Sequence, residues 1–148
     1  MSSFKVDWVL VNELAIGKAP TKESHIQLLK NEGIIAILSL CSIKESLTKL
    51  DLNRFFIAKR YVLPDHRSGR LPKIDEINET LLYLEELIQK GPVFVHCVAA
   101  MERSPLICMS WLVKKHKLSP VEALDYMMQV HKGTSPLAGQ LSLLNKIN

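Results

Sequence analysis

Cys97 stands at the end of the short apolar run Val93-Phe-Val-His96, and Arg103 follows it six residues later, with Ser104 and Pro105 directly behind. A strand that turns tightly into a helix start brings successive backbone N–H groups toward one point. The helix N-terminus adds positive potential there. Val98, Ala99, Ala100, Met101 and Glu102 would supply those amides. Arg103, in the first helical turn, could lay its planar fork against two oxygens of a phosphate. The same field favours negative charge on the Cys97 sulfur and makes it nucleophilic. The chemistry these residues suggest is attack of sulfur on a phosphoryl group.

Sulfur attack on a phosphate ester needs a proton donor for the leaving oxygen. Asp65, 32 positions before Cys97, sits in Pro64-Asp-His-Arg-Ser-Gly-Arg-Leu-Pro72, a loop that follows a predicted strand. The same Pro-Asp pair would also suit a simple turn. His66, Arg67, Arg70 and Lys73 follow, either to read acidic or multiply phosphorylated substrates at the cleft mouth or to face solvent. Arg67 is the substrate-binding candidate among them.

Those residues need a scaffold, and the hydrophobic pattern describes one. Residues 4 to 18 alternate loosely and predict a β-hairpin covering one end of the core. Pro20 and Thr21 introduce a helix of about ten residues that Gly33 stops. Ile34 to Cys41 has the aliphatic density of a central parallel strand, and Ile43 to Leu50 predicts a short helix. The next strand spans Phe55 to Leu63, with Tyr61-Val-Leu63 its strongest part. Pro72 opens a long helix with apolar positions from Ile74 to Ile88 at helical spacing. After the strand into Cys97 comes a helix through Lys115, then one opened by the Ser119/Glu122 capping box. A last helix is expected from Ser135 to about Asn145. Strands alternating with helices predict an α/β fold, a mostly parallel sheet of about four to five strands flanked by helices. Functional loops then lie at the carboxyl ends of the strands, where Cys97, Asp65 and Cys41 fall.

The string His96-Cys97-x-x-x-x-x-Arg103-Ser104 resembles the signature of the cysteine-dependent protein tyrosine phosphatase superfamily. The short chain with a C-terminal signature is similar to the small dual-specificity branch. WVLVNELAIGKAP (Trp8 to Pro20), IIAILSLC (Ile34 to Cys41), VLPD (Val62 to Asp65) and the final helices fall in that family's order, so the resemblance spans nearly the whole chain. It implies Cys97 as nucleophile, Arg103 as phosphate ligand, Asp65 as general acid and Ser104 as hydrogen-bond donor to the sulfur, with no metal or cofactor. Its substrates would be phosphorylated proteins. A phosphoinositide or RNA 5′-phosphate would be the alternative on the same scaffold, and a weakly active phosphate-binding module a further one. A sulfurtransferase or arsenate reductase fits less well, because neither needs an Asp65 equivalent. His96 is expected to orient the loop through hydrogen bonds.

The chain departs from the family's common Cys-x-x-Gly-x-Gly-Arg loop at two positions. Ala100 and Glu102 stand at the glycine positions, and a left-handed Ala100 would cost on the order of 1 kcal/mol. Glu102 is expected either to point to solvent at the loop's rim or to serve as a second proton donor, as the acidic residue there in some inositol-lipid phosphatases of the superfamily implies. Cys41 ends a strand expected beside that of Cys97. Neighbouring strands lie about 4.8 Å apart and a disulfide needs Cα atoms roughly 4.4–6.8 Å apart, so Cys41 is either a redox partner of Cys97 or a small core residue.

Composition sets the outer bounds. The 148 residues suit one catalytic domain over 1–148 with a real core. Hydrophobic residues at 47% and charged residues at 23% are those of a globular protein. The N-terminus lacks the apolar core of a secretion signal, and no apolar run is long enough to span a bilayer. Three cysteines without metal spacing point to a reducing, cytoplasmic setting. The net charge of +4 favours anionic substrates. No basic run interleaved with aromatics indicates nucleic acid, and Lys114 to Lys117 reads as a solvated helix end. Oligomeric state is not encoded in any of these features.

Overall fold

The computed structural model describes residues 3–137 and 139–147. Five strands form one sheet in the order β1-β2-β5-β3-β4. They are β1 (Asp7–Leu10), β2 (Leu14–Gly17), β3 (Ala36–Ser39), β4 (Ile57–Arg60) and β5 (Val93–His96). Among the described residues only the β1–β2 pair is antiparallel. β5 lies between β2 and β3, parallel to both, with His96 level with Gly17 and Ser39. Every residue of β2, β3 and β5 is buried, as expected of strands covered on both faces. The hairpin therefore contributes a strand to the sheet's interior, beyond covering an end of the core.

Among the described residues six α-helices flank the sheet: α1 (Glu23–Asn31), α2 (Ile43–Ser46), α3 (Ile74–Ile88), α4 (Arg103–His116), α5 (Pro120–Val130) and α6 (Gln140–Leu144). Ile26 and Leu29 of α1 pack with Ile37 and Phe94 on one face. On the other, Ile77, Leu81 and Leu84 of α3 and Leu106, Ile107 and Met109 of α4 meet Leu38 and Val95. Alternation along β5 sends Phe94 one way and Val93 and Val95 the other, so this strand serves both cores. No helix among the described residues is long and apolar enough to cross a membrane.

Several boundaries differ from the sequence expectation, each for a local reason. β4 ends at Arg60, so Tyr61 to Leu63 are not ladder residues. The Tyr61 and Leu63 N–H groups still bond the Ser39 and Leu40 carbonyls, but the chain is already leaving β3 toward Asp65. α2 is one turn long because Leu47 turns left-handed at φ 53°. α3 opens at Ile74 behind an extended Lys73, which leaves Pro72 outside the helix. α6 begins only at Gln140. Upstream, the Ser135 N–H is committed to the Met101 carbonyl and the Leu137 N–H to the Gln140 side chain, so neither is free for a helix. Ala138, within the range expected for that helix, lies outside the described residues. By contrast, the Ser119/Glu122 capping box forms as read.

Candidate active site

The loop from Cys97 to Glu102 joins β5 to α4, and its carbonyls are tied outward. The Cys97 carbonyl accepts from His96 Nδ1 at 2.9 Å and the Val98 carbonyl from the Ala19 N–H at 3.2 Å. The Ala100 carbonyl accepts from His131 Nε2 at 2.6 Å, and that of Met101 from the Ser135 N–H at 2.7 Å. Among the described residues, none of the N–H groups from Val98 to Glu102 has an acceptor. Backbone donors left unpaired beside a helix start form an anion-binding concavity. Ala100 takes φ 60°, the left-handed turn that closes the ring.

Cys97 lies at the floor of a cavity of about 430 Å³ walled by Asp65, Arg67, Val98, Met101, Arg103 and Leu137. Its sulfur is 3.2 Å from Ser104 Oγ. Arg103 is 3% exposed, and its Nε has no partner among the described residues. The fork is steered by Glu45, whose Oε1 is 3.1 Å from Nη1, and by the Leu63 carbonyl at 3.1 Å. A buried guanidinium with an unpaired N–H, on a residue that lines a cavity, is a ready partner for a bound anion.

His96 is fully buried. Burial lowers its pKa to about 4, against a weaker upward pull from its bond to the Cys97 carbonyl, while Arg60 and Arg103 add to the lowering. The neutral ring donates from Nδ1 to that carbonyl, and Nε2 accepts from Ser39 Oγ at 2.6 Å. The ring thus links the first carbonyl of the loop to Ser39 of β3.

Asp65 caps a 3₁₀ turn, His66–Ser68, so it is both turn cap and cavity wall. Oδ1 accepts from the Arg67 N–H at 3.0 Å, and Oδ2 accepts from Arg67 Nε at 2.9 Å and lies 4.0 Å from Arg103 Nη2. Burial alone would raise this carboxyl. The Arg67 hydrogen bonds, together with the charges of Arg103 and Arg67, outweigh burial and hold it below its ordinary range.

Arg67 lines the cavity, but its guanidinium is given to Asp65 and Glu45. The side chain is 65% exposed, so Arg67 faces solvent while its charge is paired along the cavity wall. Arg70 pairs with Glu76, and the Lys73 N–H is taken by the same carboxylate. Glu102 is not a solvated rim residue: its side chain is 13% exposed and its Oε1 accepts from the His66 N–H at 2.9 Å. Asp65, His66 and Glu102 bring ligand atoms within 4.8 Å of one another, the one such group among the described residues. Two arginines at Asp65 oppose a cation there.

All three cysteines are free and buried. Cys41 comes to the same end of the sheet, its sulfur 3.9 Å from His96 Nδ1, and burial pushes its thiol pKa up. Cys108 sits in the core.

Sequence reading missed three residues. Glu45 follows Ser42 at capping-box spacing, a signal that was available in the chain. His131 is paired to Asp7 Oδ2 at 2.7 Å and supports Ala100 from behind, and Ser135 supports Met101. No local pattern marks either of the last two.

A family model of the dual specificity phosphatase catalytic domain matches residues 16–148. Human dual specificity protein phosphatase 5 is 43% identical over 54 residues, 36% of this chain and 14% of that protein. Mouse dual specificity protein phosphatase 2 is 39% identical over 46 residues, 31% of this chain and 14% of that protein. The matched segments thus span about one seventh of the length of these curated relatives. Among solved structures, Tk-PTP in its active form superposes with a TM-score of 0.82 at 21% identity, covering 96% of this chain and 95% of that one. PTPMT1 in complex with PI(5)P gives 0.77 at 18% identity, with 90% and 88% covered. At those identities the structures speak for the fold, and the match over residues 16–148 for the lineage: the chain belongs to the dual specificity phosphatase catalytic-domain family, whose phosphatases are cysteine-based.

Proposed function

We propose that residues 1–148 form one catalytic domain that hydrolyses phosphate monoesters on proteins through a cysteinyl-phosphate intermediate. The observation that carries this reading is the set of unpaired loop N–H groups and the unpartnered Arg103 Nε, on a loop and helix start that line one cavity with Cys97. These donors hold the non-bridging phosphoryl oxygens and stabilise the charge that builds on them in the transition state. The Cys97 thiolate attacks phosphorus, the bond from phosphorus to the ester oxygen breaks, and Asp65 delivers its proton to that oxygen. Water then attacks the cysteinyl-phosphate. Asp65 takes a proton from it, inorganic phosphate leaves, and the Ser104 hydroxyl stabilises the returning thiolate. A phosphate dianion at Arg103 offsets the charge that depresses Asp65, so substrate binding favours the protonated acid.

The cavity's apolar wall of Val98, Met101 and Leu137 suits an aryl leaving group. The carboxylate of Glu102 in the same cavity opposes heavily charged substrates. A phosphoinositide is the second reading, because PTPMT1 shares the fold and was solved with PI(5)P. Free buried thiols fit the reducing cytoplasm. There Cys41 would be the partner that forms a disulfide with Cys97 under oxidation.

The test is hydrolysis of an aryl phosphate without added metal, followed by phosphotyrosine peptides, phosphothreonine peptides and PI(5)P vesicles. Cys97→Ser is expected to remove activity, by at least about 10³-fold. Phosphate binding without turnover in the wild type would replace the enzyme reading with a binding module.

A further inference from the structure

Glu102 sits at the N-cap position of α4, yet its side chain makes no cap bond to its own helix. It crosses to the acid loop instead. Oε1 accepts from the His66 N–H at 2.9 Å and lies 3.3 Å from His66 Nδ1. His66 directly follows Asp65. The turn behind it is internally braced, because the Ser68 hydroxyl accepts from the Asp65 N–H at 3.2 Å and Asp65 Oδ1 accepts from the Arg67 N–H. A bond to the His66 amide therefore fixes the place of the Asp65 carboxyl. The loop's other ties into the site run through Arg103, by way of Leu63 and Asp65, and through Glu45, which itself holds Arg103. Those ties are drawn on when Arg103 engages a phosphate, whereas the Glu102 bond is independent of it.

We propose that Glu102 is a positioning residue, a latch from the phosphate-binding loop that sets Asp65 over the leaving oxygen. The proposal rests on the reading of Asp65 as the proton donor. The latch needs only an acceptor oxygen on residue 102, so the carboxamide of Gln would preserve it and Ala would abolish it. A proton-donating Glu102 would instead be lost equally in both.

The experiment compares wild type, Glu102→Gln and Glu102→Ala on phenyl phosphate, whose leaving group needs a proton, and on a difluorinated coumarin phosphate, whose leaving group does not. Amide hydrogen exchange at His66 is followed in parallel, without substrate. Glu102→Ala is expected to lower kcat on phenyl phosphate about tenfold, because misplacing a donor costs orientation. It should leave the coumarin ester within about twofold and add nothing in an Asp65→Asn background. Glu102→Gln keeps kcat on both esters and the slow His66 exchange that Glu102→Ala loses. Both variants remove the carboxylate charge and share any fall in KM. If Gln loses as much kcat as Ala while His66 exchange stays slow in both, Glu102 is a proton donor and the latch is wrong. Wild-type kinetics and exchange in both variants would overturn it as well. Should Cys97→Ser remain active, the cysteinyl-phosphate reading fails by itself, and His66 exchange still decides whether the latch exists.

Discussion

The two loops that meet at Cys97 are held in opposite ways. The phosphate-binding loop is fixed through its own carbonyls: four of them are tied, two by the buried rings of His96 and His131 and two by the Ala19 and Ser135 N–H groups, and Ala100 is 1% exposed. The acid loop is fixed by side chains, chiefly Arg67 on Asp65 and Glu45, Glu102 on His66, and Arg70 on Glu76. Bonds made to buried groups such as the His96 and His131 rings cannot be exchanged for water without cost, whereas exposed ion pairs are screened and weak. The difference teaches that the loop after Cys97 is preorganised and that the loop carrying Asp65 is held by adjustable charge. Substitutions in the first loop should damage binding and folding together. Those in the second should alter proton transfer and leave the fold intact.

The largest expected effect comes from the cradle. Arg103→Lys keeps the charge but loses the fork, the Leu63 bond and the match to two phosphate oxygens. Turnover should fall on the order of 10³-fold with a raised KM, measured by steady-state kinetics on an aryl phosphate. A loss confined to proton-demanding substrates would mean that Arg103 serves the acid loop instead. Next comes Asp65→Asn. It should cost about 10²-fold on phenyl phosphate and far less on an ester with an acidic leaving group, with thermal stability little changed. Equal losses on both esters would remove Asp65 as the donor. Third is His131→Leu, which strips the Ala100 carbonyl and the Asp7 carboxylate of their partner. A buried acceptor left unpaired costs about 2 kcal/mol, readable in denaturant unfolding. Unchanged stability would show that the loop does not depend on support from behind.

The same contrast explains what could be read in the chain. The cradle is local: strand, cysteine, five amides and arginine lie within one stretch, so chemistry and spacing were legible together, down to the left-handed turn at Ala100. The sheet and its helices followed from aliphatic runs bounded by turns. Asp65 was reachable because a proton donor was required and a loop after a strand offered one. The role of Glu45 was not, since a capping box reveals a helix start and not that its carboxylate meets Arg103, distant in sequence, where Arg103 also bonds the Leu40 and Leu63 carbonyls. His131 meets Ala100 only because α5 ends where the loop turns. The chain leaves Glu102 and Arg67 each with two roles; the structure turns Glu102 onto the His66 amide and leaves Arg67 exposed but paired with Asp65.

Arg67 gives the smallest and most discriminating effect. Burial of Asp65 pushes its carboxyl up, and the Arg67 hydrogen bonds are the first of the opposing influences that bring it below its ordinary range. A general acid works only while protonated, so kcat on phenyl phosphate declines as pH rises through the Asp65 pKa in the bound complex. Removing the guanidinium in Arg67→Ala withdraws hydrogen bonds from the charged form and leaves burial less opposed. The sign follows: the pKa rises, and the alkaline limb of the kcat profile moves to higher pH. Arg67 is exposed, so the displacement should be small, and the coumarin ester should show none. Arg67→Lys, which keeps a charge near Asp65 but cannot reproduce the paired bonds, should fall between the two. A limb that stays in place in Arg67→Ala would show that substrate binding already releases Asp65 from Arg67. An acidward move would mean that Arg67 holds the loop where Asp65 is shielded from water, and that its charge matters less than its hold.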